Sequence, residues 1–408
     1  MADTLAASPH DTEKLTDSLV EKARRIAPAI AARAADAERN RKVADETIQD
    51  VADAGLLEIM VPRRYGGHEL GISSMVKVVK ALSPLDMSTG WTLAFYMVHN
   101  WMWCLMPEQA QQEIFANGPS CRGPIMVAPT VRAVAEPGGF RINGRAKWGT
   151  GSAHAQWCMV SGIVDEDLPA PAEGEPPRPP TVHMFAMPWQ DAKLEDTWYT
   201  SGMAATSSHD VVFDNVFIPA HRVMDATPAR TGEAEGGKIH NSSIYSSAFT
   251  PMLAVSALSA MVAGTLGVSA HAVERAQTFL STYSGKSSVD NPALQIRLAK
   301  ADLAAQTAST MIDTLAAEIE ADALAPPVPI ERRARQRAMS SFIASMCRDA
   351  VTLLAQGAGA SGHMSDSPIQ RAFRDINMAS CHVVFDQDPT MELHGKMLVG
   401  RPPPVILA

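Results

Sequence analysis

The chain has 408 residues, of which 46% are hydrophobic and 19% charged, and its formal net charge is −9. That length and balance predict a well-packed globular protein of two or three structural layers and exclude a disordered chain. The acidic balance, with no basic stripe interleaved with aromatics, excludes nucleic acid and anionic membrane surfaces as expected partners, because phosphate binding needs clustered cations.

The start, MADTLAASPH, lacks a charged segment followed by an apolar run, so no signal peptide is expected. Residues 11–60 read as helix, with Leu15, Leu19, Ile26 and Ile30 near helical spacing between charges. Helical patterns resume over 74–82 and 91–106, and Pro62, Gly66 and Gly67 mark the turn that precedes them. Near Gly118 and Pro119 the texture changes, and short strands are expected as far as Met224. Phe140-Arg141-Ile142 runs into Asn143-Gly144, which predicts a hairpin turn there. Apolar runs at 157–164, 182–187 and 211–218 predict further strands, and the prolines of 165–180 predict a surface loop.

Residues 225–250 are polar and rich in Gly and Ser, which predicts a loop. Long helices follow at 251–283, 292–322, 331–356 and 368–385, with a proline-rich break at 324–329. Residues 251–273 carry no Asp, Glu, Lys or Arg and are long enough to cross a bilayer. Ala, Ser, Gly and Val dominate this stretch, so a helix buried in the protein or in a subunit interface is expected rather than a membrane span. The fold class is therefore α+β, mainly α: a helical domain over 1–119, a β domain over 120–225 and a helical bundle over 226–408.

Cys104, Cys121, Cys158, Cys347 and Cys381 form no C-x-x-C pair and are odd in number. Neither a disulfide framework nor a zinc site is expected, and a reducing cytoplasm fits this usage. Gly357-Ala-Gly359-Ala-Ser-Gly362 satisfies G-x-G-x-x-G. A dinucleotide site needs a strand before that pattern and a helix directly after it. Here a helical pattern precedes it, so it reads as an interhelical loop. No NAD(P)H site is visible, so if the protein is a redox enzyme its electrons are expected to arrive already loaded on a flavin.

Four segments carry a resemblance: Gly55-Leu-Leu-Glu-Ile-Met-Val-Pro62 with Tyr65-Gly-Gly67; Gly139 to Trp148 with Gly149-Thr150-Gly151-Ser152; Ser201-Gly-Met-Ala-Ala-Thr206 with Asp210 to Pro219; and Gln356-Gly-Ala-Gly359 through Pro368-Ile-Gln-Arg371 to Phe373-Arg-Asp375. In this order they resemble the acyl-CoA dehydrogenase superfamily. That resemblance implies an N-terminal helical domain, a central β-barrel-like domain, a C-terminal four-helix bundle and a homotetramer. Dehydrogenases of the superfamily commonly place a glutamate base in a Glu-Gly-Thr segment shortly after the Arg-Asp pair. Arg374-Asp375 is followed by no such segment here. The trios Trp148/Thr150/Gly151 and Arg374/Asp375/His382, with Trp91/His99, are instead similar to group D two-component flavin monooxygenases, such as the hydroxyphenylacetate, steroid-phenol and dibenzothiophene oxygenases.

The resemblance implies an oxygenase component that receives reduced FMN or FAD from a separate NAD(P)H-dependent flavin reductase. It would capture O2 as a flavin C4a-hydroperoxide and hydroxylate a small phenol- or indole-like substrate, without a metal. Thr150 would accept a hydrogen bond from N5–H, Gly151 would allow close backbone approach, and Ser152, Trp148 and Trp91 would bind the flavin. His99 would contact substrate and His382 would accept a phenolic proton, or either histidine would only orient the substrate. Asp375 would support a helix or a base, or pair with Arg374. The 22 methionines, among them Met97, Met102, Met106, Met203, Met252 and Met378, are either core packing or the lining of a dry pocket. Each residue also has an ordinary structural reading, as a turn threonine, a core histidine or a packed tryptophan. An acyl-CoA dehydrogenase, an N- or S-oxygenase and a non-enzymatic binding protein on the same scaffold are the rival readings.

Overall fold

A computed structural model describes residues 9–165, 180–278 and 287–401. Nearly all of the proline-rich loop expected at 165–180 lies outside the described residues, as does Thr282–Lys286.

The first part of the chain folds as α1 (Pro9–Asn40), α2 (Asp45–Asp53), α3 (Ile72–Leu82), α4 (Met87–Trp103) and α5 (Glu108–Ile114). The single helix expected over 11–60 is divided, because Arg41 adopts a left-handed φ of 52°. That conformation ends α1 and aims the Arg41 guanidinium at Asp196, to which it donates at 2.5 and 2.9 Å. Helix α1 buries Leu19, Ala23, Ile30 and Ala34, a stripe at helical spacing. Helix α4 is buried at every one of its 17 residues, so it forms the centre of the molecule rather than a face of it. Its start is fixed by Asp86, which accepts from the Thr89 amide at 3.0 Å and the Thr89 hydroxyl at 2.6 Å.

Among the described residues seven strands follow: β1 (Ile125–Glu136), β2 (Gly139–Gly149), β3 (Trp157–Asp165), β4 (Val182–Pro188), β5 (Lys193–Glu195), β6 (His209–Pro219) and β7 (Val223–Asp225). They form one sheet in the order β5-β6-β2-β1-β3-β4-β7. β1 and β3 run parallel; the other pairs are antiparallel. Val131, Ile142, Phe185 and Phe213 belong to a small core within the sheet, separate from the main core shared with the helices.

The hairpin turn falls elsewhere than expected. β1 and β2 are joined through Pro137-Gly138, with Glu136 opposite Gly139 and Gly138 at φ 86°. Proline supplies the first turn position and glycine the positive φ. Asn143 and Gly144 lie inside β2, opposite Arg132 and Val131, where the register towards β6 shifts. β2 has partners on both sides, so Asn-Gly is absorbed there as an irregularity, and Asn143 Oδ1 accepts from the Asn215 amide at 2.7 Å.

The remaining chain forms α6 (Ala226–Ala229), α7 (Phe249–Thr278), α8 (Pro292–Asp322), α9 (Ile330–Gly357), α10 (Pro368–Ala379) and α11 (Gln387–Leu398). Helix α7, which includes the charge-free stretch, is largely buried against α3, α4, α8, α9 and α10. Small residues permit this: a Cβ on Gly267 would lie 1.7 Å from the Pro84 carbonyl oxygen. The Gly357–Gly362 segment joins α9 to α10, with Gly359 at φ 66°, so a helix precedes it as expected. The helix expected over 368–385 ends at Ala379. A 3-10 turn at Val383–Phe385 follows, and then α11, which the reading of the sequence missed.

Gly267→Ala drives a methyl group into a backbone atom that cannot move aside. It is expected to destabilise the protein by about 2–4 kcal/mol, read as a lower denaturation midpoint.

Candidate functional site

Trp91, Phe95 and His99 stand four residues apart on α4 and so share one face. Trp91 and Phe95 stack with centroids 5.1 Å apart, and Phe95 meets His99 edge-on at 5.3 Å. His382 packs edge-on against Trp91 at 5.8 Å. The four rings form a continuous aromatic wall with a histidine at each end. His99 and His382 are thus brought to one wall but held apart by the Trp91–Phe95 pair.

The two histidines have opposite polarity. His99 Nδ1 lies 2.7 Å from the Gly123 carbonyl oxygen. A carbonyl only accepts, so Nδ1 carries the proton and Nε2 presents a lone pair. That Nε2 is buried and has no hydrogen-bond partner among the described residues. Burial lowers the His99 pKa to about 4 against the opposing pull of the Gly123 bond, so the ring is neutral at pH 7. His382 is the reverse case. The Val384 amide donates to its Nδ1 at 3.2 Å, so its neutral ring carries the proton on Nε2. Burial also lowers its pKa to about 4. With Nδ1 occupied, the group that His382 presents is the Nε2–H donor. His382 does not sit on a helix; it caps the 383–385 turn.

Thr150, Gly151 and Ser152 form the turn after β2. The Tyr96 hydroxyl on α4 donates to the Gly151 carbonyl at 2.6 Å, and a Cβ on Gly151 would lie 2.5 Å from that hydroxyl. Gly151 also takes φ 76°, which glycine adopts without strain. Its amide donates to the Thr206 carbonyl at 2.8 Å. Ser152 is buried, and its hydroxyl donates to the Ser207 carbonyl at 2.6 Å. That bond makes Ser152 a brace between two turns. Thr150 is half-buried and lies 3.0 Å from the Ser208 hydroxyl, remote from both histidines in its bonding. Trp148 is 60% exposed, a large apolar ring presented at the surface beside Trp198, 6.3 Å away.

Asp375 ties the bundle to this region. Its carboxylate accepts from the Met203 amide at 2.5 Å and from the Ser88 hydroxyl at 3.3 Å. Burial raises its pKa to about 7, while the Met203 amide pulls the other way. Of the two roles expected for Asp375, support rather than an ion pair with Arg374 is what these bonds describe. Arg374 pairs with Glu38 and donates to the Ser201 carbonyl at 2.9 Å. The 201–208 segment that these side chains hold has two left-handed non-glycine residues, Met203 at φ 56° and Ser207 at φ 48°, a strained path that needs such anchors. Met97, Met102, Met106, Met203 and Met252 are buried in the main core and Met378 packs at its edge, so the packing reading holds for these methionines. Tyr96, Thr206 and Ser208 were not singled out in the sequence. The run of hydroxyls at 206–208, between the two halves of the third family segment, is the signal that would have found Thr206 and Ser208.

The model of the acyl-CoA dehydrogenase N-terminal domain matches residues 14–114, and that of the C-terminal domain matches residues 257–387. The chain belongs to the acyl-CoA dehydrogenase superfamily. Within it, the chain is 34% identical to a pigment production hydroxylase of Rhodococcus sp. over 94% of this chain and 97% of that protein. It is 27% identical to the oxygenase component of p-hydroxyphenylacetate 3-hydroxylase of Acinetobacter baumannii, over 95% and 90% of the two chains. Among solved structures it is similar to XiaF from Streptomyces sp. in complex with FADH2 and glycerol, at 28% identity and a TM-score of 0.87, covering 97% and 98% of the two chains. This superfamily member therefore falls among its flavin-dependent monooxygenases.

The neutral histidines carry a consequence for stability. Folded, His99 stays neutral to about pH 4, whereas an unperturbed histidine protonates near 6.5. Above pH 6.5 both states are neutral and nothing is lost. Below it the unfolded chain binds the proton first, so the fold loses stability until pH 4. Between pH 7 and pH 5 the His99→Asn protein is expected to lose about 2 kcal/mol less than the wild type, measured by urea unfolding at the two pH values.

Proposed function

We propose that this protein is the oxygenase component of a two-component monooxygenase that hydroxylates a small phenol- or indole-like substrate, using reduced FMN or FAD delivered by a separate NAD(P)H-dependent reductase. The observation that carries this reading is the buried, unpartnered Nε2 of His99 at the end of an aromatic wall. A buried acceptor left unpaired costs about 1–3 kcal/mol, and a phenolic O–H or an indole N–H beside flat rings supplies the missing donor. Both relatives named above carry hydroxylase in their names, one of them for a phenolic acid.

The residues present fit a flavin. The exposed Trp148 offers an apolar ring surface, and Thr150, half-buried, carries a hydroxyl in the adjoining turn, whose Gly151 is fixed by Tyr96. When bound, reduced flavin supplies two electrons to O2, so that one oxygen atom enters the substrate and the other leaves as water. The protein's part is orientation. His99 accepts from the substrate donor without becoming a full cation, because burial holds its basicity down. Nε2–H of His382 is a donor at the other end of the wall, suited to a substrate oxygen that carries partial negative charge. Trp91 and Phe95 between them keep water from the reacting ring.

The test is oxygen transfer itself. Protein, reduced FMN or FAD, O2 and a panel of phenols and indoles should yield a product with one oxygen atom from O2. Anaerobic bleaching of bound flavin by an acyl thioester, without such a product, would overturn the reading in favour of a dehydrogenase. His99→Ala should bind flavin as the wild type does but lose about tenfold in product formed per O2 consumed, with hydrogen peroxide making up the difference.

We propose further that the protein is a homotetramer. Ile296 and Leu303 on α8 and Phe342 on α9 are 56%, 67% and 51% exposed, an apolar surface suited to a second copy. Phe342→Asp should lower the molar mass measured by light scattering while leaving the circular dichroism spectrum unchanged. The five free thiols fit a reducing cytoplasm.

A further inference from the structure

We propose that Thr206 and Ser208 are positioning residues that make the Thr150 hydroxyl a one-way hydrogen-bond acceptor, and so tune the site to reduced over oxidised flavin. The inference rests on the flavin reading above and adds residues that the family segments do not assign.

Three short contacts connect the hydroxyls in line. Thr150 Oγ1 lies 3.0 Å from Ser208 Oγ. Ser208 Oγ lies 2.7 Å from Thr206 Oγ1. Thr206 Oγ1 lies 2.8 Å from the Met203 carbonyl oxygen. Each hydroxyl has one proton, and the carbonyl has none. An O···O contact of 2.8 Å with no proton between the atoms is repulsive, so Thr206 must donate to Met203. Its proton being spent, Thr206 can only accept from Ser208. Ser208 in turn can only accept from Thr150. The direction of the whole chain is thus set at its buried end by one backbone carbonyl, and Thr150 is left with lone pairs and no free proton.

The anchor is firm. The Met203 carbonyl also accepts from Trp198 Nε1 at 3.0 Å, and the Met203 amide is held by Asp375 at 2.5 Å. Ser207, between the two hydroxyl residues, is fixed in its left-handed conformation by the Ser152 hydroxyl. Exposure rises along the chain in the direction the argument needs: Thr206 is 1% exposed, Ser208 is 3% exposed, and Thr150 is half-buried at the open end.

The chemistry of the cofactor gives this polarity a meaning. Reduced flavin carries a proton on N5 and donates there; oxidised flavin carries a lone pair on N5 and only accepts. A hydroxyl that can only accept matches the first and opposes the second. Removing a link frees a proton along the chain, lets Thr150 donate, and erases the discrimination.

The experiment measures dissociation constants for reduced and oxidised FMN and FAD, anaerobically and without substrate, on the full-length protein. The wild type should favour the reduced form. Ser208→Ala should lower the ratio of oxidised to reduced dissociation constants about tenfold, chiefly by tightening the oxidised form. Thr206→Val, which keeps the shape and removes the hydroxyl, should do the same, and serves alone if Ser208→Ala fails to fold. Thr206→Ser, which restores the hydroxyl, should return the ratio to within twofold of the wild type. The proposal is overturned by a wild type that binds flavin without preference for the reduced form, by a ratio unchanged in both disrupting variants, or by equal weakening of both forms, which marks a merely structural role. A wild type that binds neither flavin overturns instead the flavin reading on which the proposal rests.

Discussion

The complete burial of α4 is the constraint from which the site follows. A helix with no solvent face must find partners for its polar side chains inside the protein, because an unpaired buried group is expensive. Most of those partners come from the turns and loops around it, although Trp103 Nε1 finds none among the described residues. Asn100 accepts from the Cys121 amide and donates to the Leu57 carbonyl, Tyr96 reaches Gly151, Trp101 reaches Ile244, and His99 reaches Gly123. The same bonds that solve the burial problem fasten the sheet and its turns to the helix. They also settle the chemistry, since the carbonyl that takes the His99 proton at Nδ1 exposes a bare nitrogen on the other side of the ring.

A second layer of control comes from the bundle. Asp375 and Arg374 on α10 reach across to the 201–208 segment, one holding an amide and the other a carbonyl. The segment is strained at Met203 and Ser207, so it has no reason to keep its path without them. Helix α10 therefore reaches the turn at Thr150 without touching it, through a backbone anchor and a row of hydroxyls. Bundle, central helix and sheet meet at that turn, which explains why family segments from distant parts of the sequence belong to one site.

Much of this was legible in the residues. The three-part order, the long helices and the four family segments follow from local patterning, which depends on near neighbours and survives without a tertiary structure. The shared face of Trp91, Phe95 and His99 follows from spacing alone. Turn placement was less legible: Asn143-Gly144 has strong turn chemistry, but its strand is paired on both sides and Pro137-Gly138 supplies the reversal instead.

What the sequence by itself determined is the set of chemical groups and the elements that carry them: imidazoles on and near an aromatic stripe, a hydroxyl in a glycine turn, an Arg-Asp pair on a helix. Only the tertiary structure decided what each group does. Proton placement on an imidazole or a hydroxyl is set by the one partner it meets, and here those partners are remote: Gly123 for His99, Glu38 for Arg374, Met203 for Asp375. His382 shows that even a near partner decides nothing until the backbone bends, since the Val384 amide reaches its ring only because the helix has ended and a tight turn has begun. Hydrogen bonds have direction, and direction is a property of pairs in space rather than of residues in a row.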